Sequence, residues 1–354
     1  MTKAELDSIK ILPLEDSWYR KVKEKLDGIA KPLDGLGKFE HLIAQIGAIE
    51  KTTKISIQKK AVLVMCADNG VVEEQVSQSG KEVTLAVTKA MGVNNSSVGK
   101  MAAVAGVDVI PVDIGIDTDE VIPGVLPRKV AKGTKNFAKE PAMTEEEVLK
   151  AIETGIQLVQ QCHREGYEIF ATGEMGIGNT TTSTAVAAAL LDLEVEQVTG
   201  KGAGLTDEAL KRKCRVIKEA IEKYSLRDAD AFTILKTVGG LDIAGLTGVF
   251  IGAAIEQIPV VIDGVISAVA ALLAETLCKG AVNYMIPSHK SRELAETAIM
   301  KKLHLDPVLD ADMALGEGTG AVMMMSLLDV ALGVYLQGAS FANFEIEQYK
   351  RYEE

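Results

Sequence analysis

Two carboxylates stand in glycine loops, where packing alone does not explain them. Glu174 lies in Ile169–Thr184, IFATGEMGIGNTTTST, and Glu317 lies in Ala314–Gly320, ALGEGTG. The first stretch runs from an apolar strand through Gly173, Gly176 and Gly178 into an Ala-rich helix. That order makes an anion cradle, because glycine lets a ligand approach the backbone and the first N–H groups of a helix lack internal partners. Asn179, Thr180 and Thr181 suit the helix cap and add side-chain donors. The alternative is a glycine turn with a Thr-capped helix and no ligand. The stretch is not a GxxxxGK[ST] loop, and Thr181 stands where GxGxxG requires its third glycine. Glu174 would repel a phosphate unless it points elsewhere, which suggests a different task. Glu317 precedes an apolar helix, so it either caps that helix or serves as a ligand and proton acceptor in a cleft.

Other residues fit around these two. Lys213, in the second turn of a basic helix after Gly200-Lys201-Gly202-Ala203-Gly204, could reach a phosphate at the first loop. A solvated lysine on an amphipathic helix is the commoner case. Three strand-like runs end in an acid near a glycine: Asp68-Asn69-Gly70, Asp113-Ile114-Gly115 and Asp263-Gly264. Asp242 opens a helix, where an acid suits the dipole. His289 follows a strand and precedes a helix, as a structural hydrogen-bonder or a catalyst.

The elements that must hold these residues follow from the rest of the 354-residue chain. Apolar residues make up 47%, which excludes disorder, and aromatics only 4%, which favours helices on a parallel sheet. The net charge of −12 argues against nucleic acid and anionic membrane as partners. Cys66, Cys162, Cys214 and Cys278 form no CxxC pair, so neither a zinc site nor a disulfide framework is indicated. No signal peptide is evident, and a cytoplasmic location is expected. Apolar stretches near 239–254 and 260–277 are interrupted and read as core segments.

In order, Asp16-Ser17 can cap one amphipathic helix, and a second follows at FEHLIAQIGAIE. Strands are expected at Ala61–Ala67, Val107–Val112, the run into Ala171-Thr172, Pro259–Asp263 and Asn283–Pro287. Helices are expected from Glu82, over Ser96–Ala105, from Thr144 to Arg164, after Thr206, from Asp242 to Gln257, over Val265–Cys278 and after Gly320. Residues 117–143 lack periodicity and form a long excursion. The alternation predicts a doubly wound, Rossmann-like parallel α/β sheet. Residues 60–330 would form that domain, and 1–59 with 331–354 a small helical subdomain.

Taken together, these motifs resemble one family. KPLDGLGKFE (31–40), CADNGV (66–71), VSQSGKEVT (76–84), VDIGI (112–116), GEMGIGNTTT (173–182), VGGLDIAG (238–245), PVVIDG (259–264), Ser288-His289 and LGEGTGA (315–321) are similar, in order, to nicotinate-nucleotide–dimethylbenzimidazole phosphoribosyltransferases. The family more often has His where Asn69 stands. The resemblance implies a homodimer that transfers ribose 5-phosphate from nicotinate mononucleotide to 5,6-dimethylbenzimidazole. The products are nicotinate and α-ribazole 5′-phosphate, for the nucleotide loop of cobalamin. It implies Glu317 as the base and Glu174 near the ribose or as a back-up base. Phosphate and ribose would go to Gly176, Ile177, Gly178, Asn179, Thr180, Gly202, Lys213, Asp242 and Asp263. The aromatic base would go to Ser79, Gly80, Met175, Ser288, His289 and Leu315. No pyrophosphate leaves, so neither metal nor cofactor is implied. Another benzimidazole, adenine or a phenol remains an open acceptor, since apolar pockets separate similar rings poorly. A dinucleotide oxidoreductase and a non-enzymatic nucleotide-binding protein are the rival classes.

Overall fold

A computed structural model describes residues 1–202 and 204–351. Six parallel strands form one sheet: β1 (Lys60–Ala67), β2 (Val107–Gly115), β3 (Leu126–Pro127), β4 (Ile169–Met175), β5 (Val260–Ile262) and β6 (Met285–Pro287). Their order is β3-β2-β1-β4-β5-β6. The strand order reverses between β1 and β4, so the crossovers leaving these two strands go to opposite sides and open a crevice beyond their carboxyl ends.

Every residue of β1 is buried, so both its faces are core. Leu63 and Met65 join one apolar cluster, and Val62, Val64 and Cys66 join the other. The first cluster packs under the helices Glu145–Arg164, Leu241–Glu256 and Val265–Leu277. The second packs under Lys38–Ile49, Ser97–Ala105 and Thr319–Gln337. This two-sided burial explains why β1 reads as a continuous apolar run.

The chain ends meet. Ala30 N–H donates to Ala339 O (2.8 Å), and Tyr335 Oη donates to Thr53 O (2.9 Å). The helix Thr319–Gln337 runs unbroken across position 330, and its Met325 and Leu328 share a cluster with Val22, Leu42 and Val62. By length and composition alone this helix could cross a membrane, but one face is buried against β4, β5 and Ser97–Ala105.

Several boundaries differ from expectation. Glu15, not Asp16-Ser17, precedes the helix Asp16–Asp27, and it makes no side-chain cap. β2 continues to Gly115 because its end stays paired with Cys66 and Ala67 through a local register shift. Asp113 there accepts from Ile116 N–H (2.9 Å) and pairs with Lys129 (3.1 Å), so this strand-end acid fastens its own loop. β6 begins only at Met285, after a tight turn at Ala281–Tyr284. The 117–143 excursion contributes β3, too short to show a period of two.

Candidate active site

The cavity lies beyond the carboxyl ends of β4, β5 and β6, with a volume of about 310 Å³. Its floor is the loop after β4, and the far wall is the loop before Thr319–Gln337. The two loops touch backbone to backbone. A Cβ at Gly173 would lie 2.6 Å from Glu317 O, and one at Gly318 would lie 2.6 Å from Val62 Cγ2 and 3.1 Å from Thr172 O. Glycines at both positions therefore let Glu317 sit directly over β4.

Glu317 itself has φ +61° between two left-handed glycines. Its Oε2 accepts from Val98 N–H (3.0 Å), in the first turn of Ser97–Ala105. Glu317 Oε1 makes no hydrogen bond to the described residues, so one oxygen is fixed and one is left for a proton. Glu317 does not cap its own helix. Asp263 does so from the end of β5, accepting from Gly318 N–H (3.2 Å) and Ala321 N–H (3.0 Å). Burial pushes the Asp263 carboxyl up, and the neighbouring His289 opposes the shift.

In the loop after β4, Gly178 is the N-cap residue and makes no side-chain cap. Asn179 is the first helical residue, and its amide turns inward. It donates to Glu174 Oε2 and to Asp242 Oδ2 (3.2 Å). Glu174 is partly open to the cavity although its surroundings are densely packed. Burial, and next the Asp242 charge, push its carboxyl up to about 8. Gly176 cannot carry a side chain, since a Cβ would meet Ala67 O at 2.5 Å and Asp242 Oδ2 at 2.8 Å.

The backbone donors of this loop are partly used. Ile177 N–H donates to Thr84 Oγ1 (3.1 Å) and Asn179 N–H to Gly176 O (3.0 Å). These two N–H groups are therefore engaged within the protein. Lys213 is fully buried rather than solvated. Its Nζ donates to Thr180 Oγ1 (2.9 Å) and Gly200 O (3.3 Å), and burial pushes it down to about 8. Gly202, in the left-handed region, sits against Thr180. Gln78 donates to Gly204 O and links the loop before Glu82–Gly92 to this glycine cluster.

The cavity is thus lined by Glu174, Met175, Gly176, Ile177, Gly178, Asn179, Thr180, Gly202, Asp263, His289, Leu315 and Glu317, all named from the sequence. Lys213 touches it through Thr180. Four expected contacts fall elsewhere. Asp242 is wholly buried behind the wall, because Asn179 and its neighbour Ile243 N–H (3.0 Å) hold its carboxylate inward. Ser288 is buried and bonds His289 Nδ1 (2.9 Å) instead of a ligand. Ser79 and Gly80 do not line the cavity; their amides turn back to Ser77 and Glu82. Asp263 reaches it, but the helix cap engages both its oxygens.

Ser77, Val87, Ser267, Ser291 and Glu293 also line the cavity and were not expected. Ser77 lies two residues before the expected Ser79, in the same polar loop. Ser267 donates to Thr172 Oγ1 (2.8 Å), three residues past Gly264. Asn69, wholly buried under the loop, donates to Ile177 O (3.5 Å) and takes no part in the lining.

Comparison with known proteins shows the family. The phosphoribosyltransferase family model matches residues 11–346. A nicotinate-nucleotide–dimethylbenzimidazole phosphoribosyltransferase of Clostridium acetobutylicum is 44% identical over 95% of this chain and 96% of its own length. The chain belongs to this family. Its namesake from Chloroflexus aggregans is 42% identical over 96% of each chain. The crystal structure of CobT from Thermus thermophilus superposes with a TM-score of 0.89 at 33% identity, over 94% of this chain and all of that one. The Rossmann-like parallel sheet is therefore the fold this chain shares with that structure.

Proposed function

We propose that this chain transfers ribose 5-phosphate from nicotinate mononucleotide to 5,6-dimethylbenzimidazole or a closely related base. The observation that carries the assignment is the juxtaposition of Glu317 with the loop after β4 in one cavity. One end offers Thr180 and, behind it, the Lys213 ammonium to a phosphate. Apolar Val87, Met175 and Leu315 offer a wall to an aromatic ring.

The chemistry needs one base. A benzimidazole nitrogen attacks the anomeric carbon, and the bond to nicotinate breaks. Its electron pair neutralises the pyridinium nitrogen, so the leaving group needs no acid. The other benzimidazole nitrogen gives up its proton to the free oxygen of Glu317. Attack from the face opposite nicotinate inverts β to α.

The test is chromatography of the chain incubated with nicotinate mononucleotide, with and without dimethylbenzimidazole. Nicotinate and α-ribazole 5′-phosphate should appear in equal amounts, and only with the base. No base-dependent nicotinate release would refute the assignment. Supplying equal benzimidazole, adenine and phenol as competitors ranks the acceptors.

A homodimer is the assembly this reading favours. Met323, Val330 and Leu336 are exposed along the outer side of Thr319–Gln337, and Gly333 there faces open space. Such a stripe suits a second apolar surface. Sedimentation equilibrium should give twice the mass of one chain; a monomer at micromolar concentration would refute it. The net charge of −12 favours a cytoplasmic enzyme without nucleic-acid or membrane partners.

A further inference from the structure

The cavity is lined by four carboxylates, Glu174, Asp263, Glu293 and Glu317, and by no lysine or arginine among the described residues. A fifth, Asp242, stands just behind the wall. The proposed substrate is itself an anion. Four or five full charges on the walls would repel it over a few ångströms in a site of low dielectric. The cluster must therefore hold a proton somewhere.

The geometry shows where. Asp263 has two backbone N–H donors and the His289 ring beside it, and Glu317 has the Val98 N–H. Neither Glu174 nor Asp242 has a cation beside it among the described residues, and Glu174 has only the Asn179 amide as donor, whereas Asp242 also accepts from Ile243 N–H (3.0 Å). One amide group, Asn179 Nδ2, divides its two hydrogens between them. The other groups facing Glu174 are Asp263, Glu317 and the buried Cys66 thiol; none is a cation. We propose that Asp242 is a positioning residue which, through Asn179, holds Glu174 in place and protonated at neutral pH. The neutral carboxyl faces the cavity as a hydrogen-bond donor, and the nucleotide enters against one charge fewer. The shifts agree in direction, with both carboxyls raised by burial, Glu174 to about 8 and Asp242 to about 6.

This rests on the transferase reading only for the nature of the anion. The first measurement needs no substrate. Infrared difference spectra of the free enzyme should show a carboxylic-acid carbonyl band that fades as pH rises through about 8. Burial also pushes Glu296 up to about 8 and Glu50 up to about 7, so the Glu174 part of the band is the intensity that Glu174→Gln loses. In Asp242→Asn, which keeps the shape and an acceptor for Asn179, the midpoint of that part should fall by about one pH unit. Identical spectra for the wild type and Glu174→Gln, or an unmoved midpoint in Asp242→Asn, would overturn the proposal. Kinetics supply the second measurement. Asp242→Asn should raise the Michaelis constant for nicotinate mononucleotide about fivefold near pH 8, the loss of protonated Glu174 that a midpoint one unit lower brings, and leave it close to wild type near pH 5, where Glu174 is protonated in both. A merely structural role for Asp242 would raise it equally at both pH values, and that result would also overturn the proposal. Absence of transfer in the wild type would refute the functional reading and leave the infrared result standing.

Discussion

Two groups of carboxylates in this chain are treated in opposite ways. Near the meeting of the chain ends, Asp27, Asp34 and Glu40 present oxygens within 4.8 Å of one another. Cations already hold them. Lys23 bonds Asp34 (2.6 Å) and Glu40 (2.9 Å), Lys31 bonds Glu40, and Arg351 bonds Asp27 (2.7 Å) and Asp34 (2.7 Å). Burial alone would raise Glu40, yet the two lysines carry it below the ordinary carboxylate range. At the cavity no lysine or arginine among the described residues pairs with Glu174 or with Asp242 behind it, and burial pushes both up. The first group is ionised and ties the ends of the chain together. The second is spared such neutralisation, and proton transfer is the work that an uncompensated carboxylate can do.

The contrast is broken first at the base. Glu317→Gln should lose about 10²–10⁴-fold in turnover and keep nucleotide affinity, as steady-state rates and equilibrium binding would show. At the other group, Glu40→Gln should leave the rate near wild type and cost about 2–3 kcal/mol of stability by urea unfolding. That lies below the usual loss for a broken buried pair because both lysines reach solvent. A lost rate there would erase the distinction. Lys213→Ala should raise the Michaelis constant for nicotinate mononucleotide about tenfold to thirtyfold, the worth of one charged hydrogen bond. An unchanged constant would remove Lys213 from phosphate binding.

Stability should also depend on pH. A carboxyl raised by folding binds its proton more tightly in the folded state, so its contribution to stability falls as pH rises from the ordinary value toward the folded one. For Glu174 that window runs from 4.5 to about 8. Glu174→Gln should therefore stabilise the protein, by up to about 4 kcal/mol near pH 8 and about 1 kcal/mol near pH 5, in thermal unfolding at the two pH values. Equal effects at both would show that Glu174 does not titrate in this window.

Much of this contrast was legible in the sequence, for physical reasons. A strand buried on both faces must be apolar throughout, so β1 declares itself. A glutamate between glycines has no packing role, so Glu317 stands out. Lys213 carried a further signal: it falls with Ala209, Val216, Ile217 and Ala220 on the buried stripe of its helix, where a solvated lysine would not sit. Asp242 and Asn179 could not be placed. An acid and an amide at helix starts normally face solvent or the dipole, and only the close approach of two helix N-termini turns them toward each other. The series of ion pairs from Glu40 through Lys23 and Asp34 to Arg351 spans most of the chain and leaves no local pattern. Ser77, Ser267 and Glu293 reach the cavity only because three separate segments, one of them the helix Val265–Leu277, converge on it.

Chemical rescue tests the role of Glu317 most directly. Its backbone is left-handed, so Glu317→Gly removes the carboxylate without strain and leaves room for a small acid. Nicotinate release by this variant, at saturating nucleotide and dimethylbenzimidazole, should be nearly abolished and should then rise in proportion to added formate or acetate. A variant that keeps near-normal release without the added acid would contradict the assignment of Glu317 as the base.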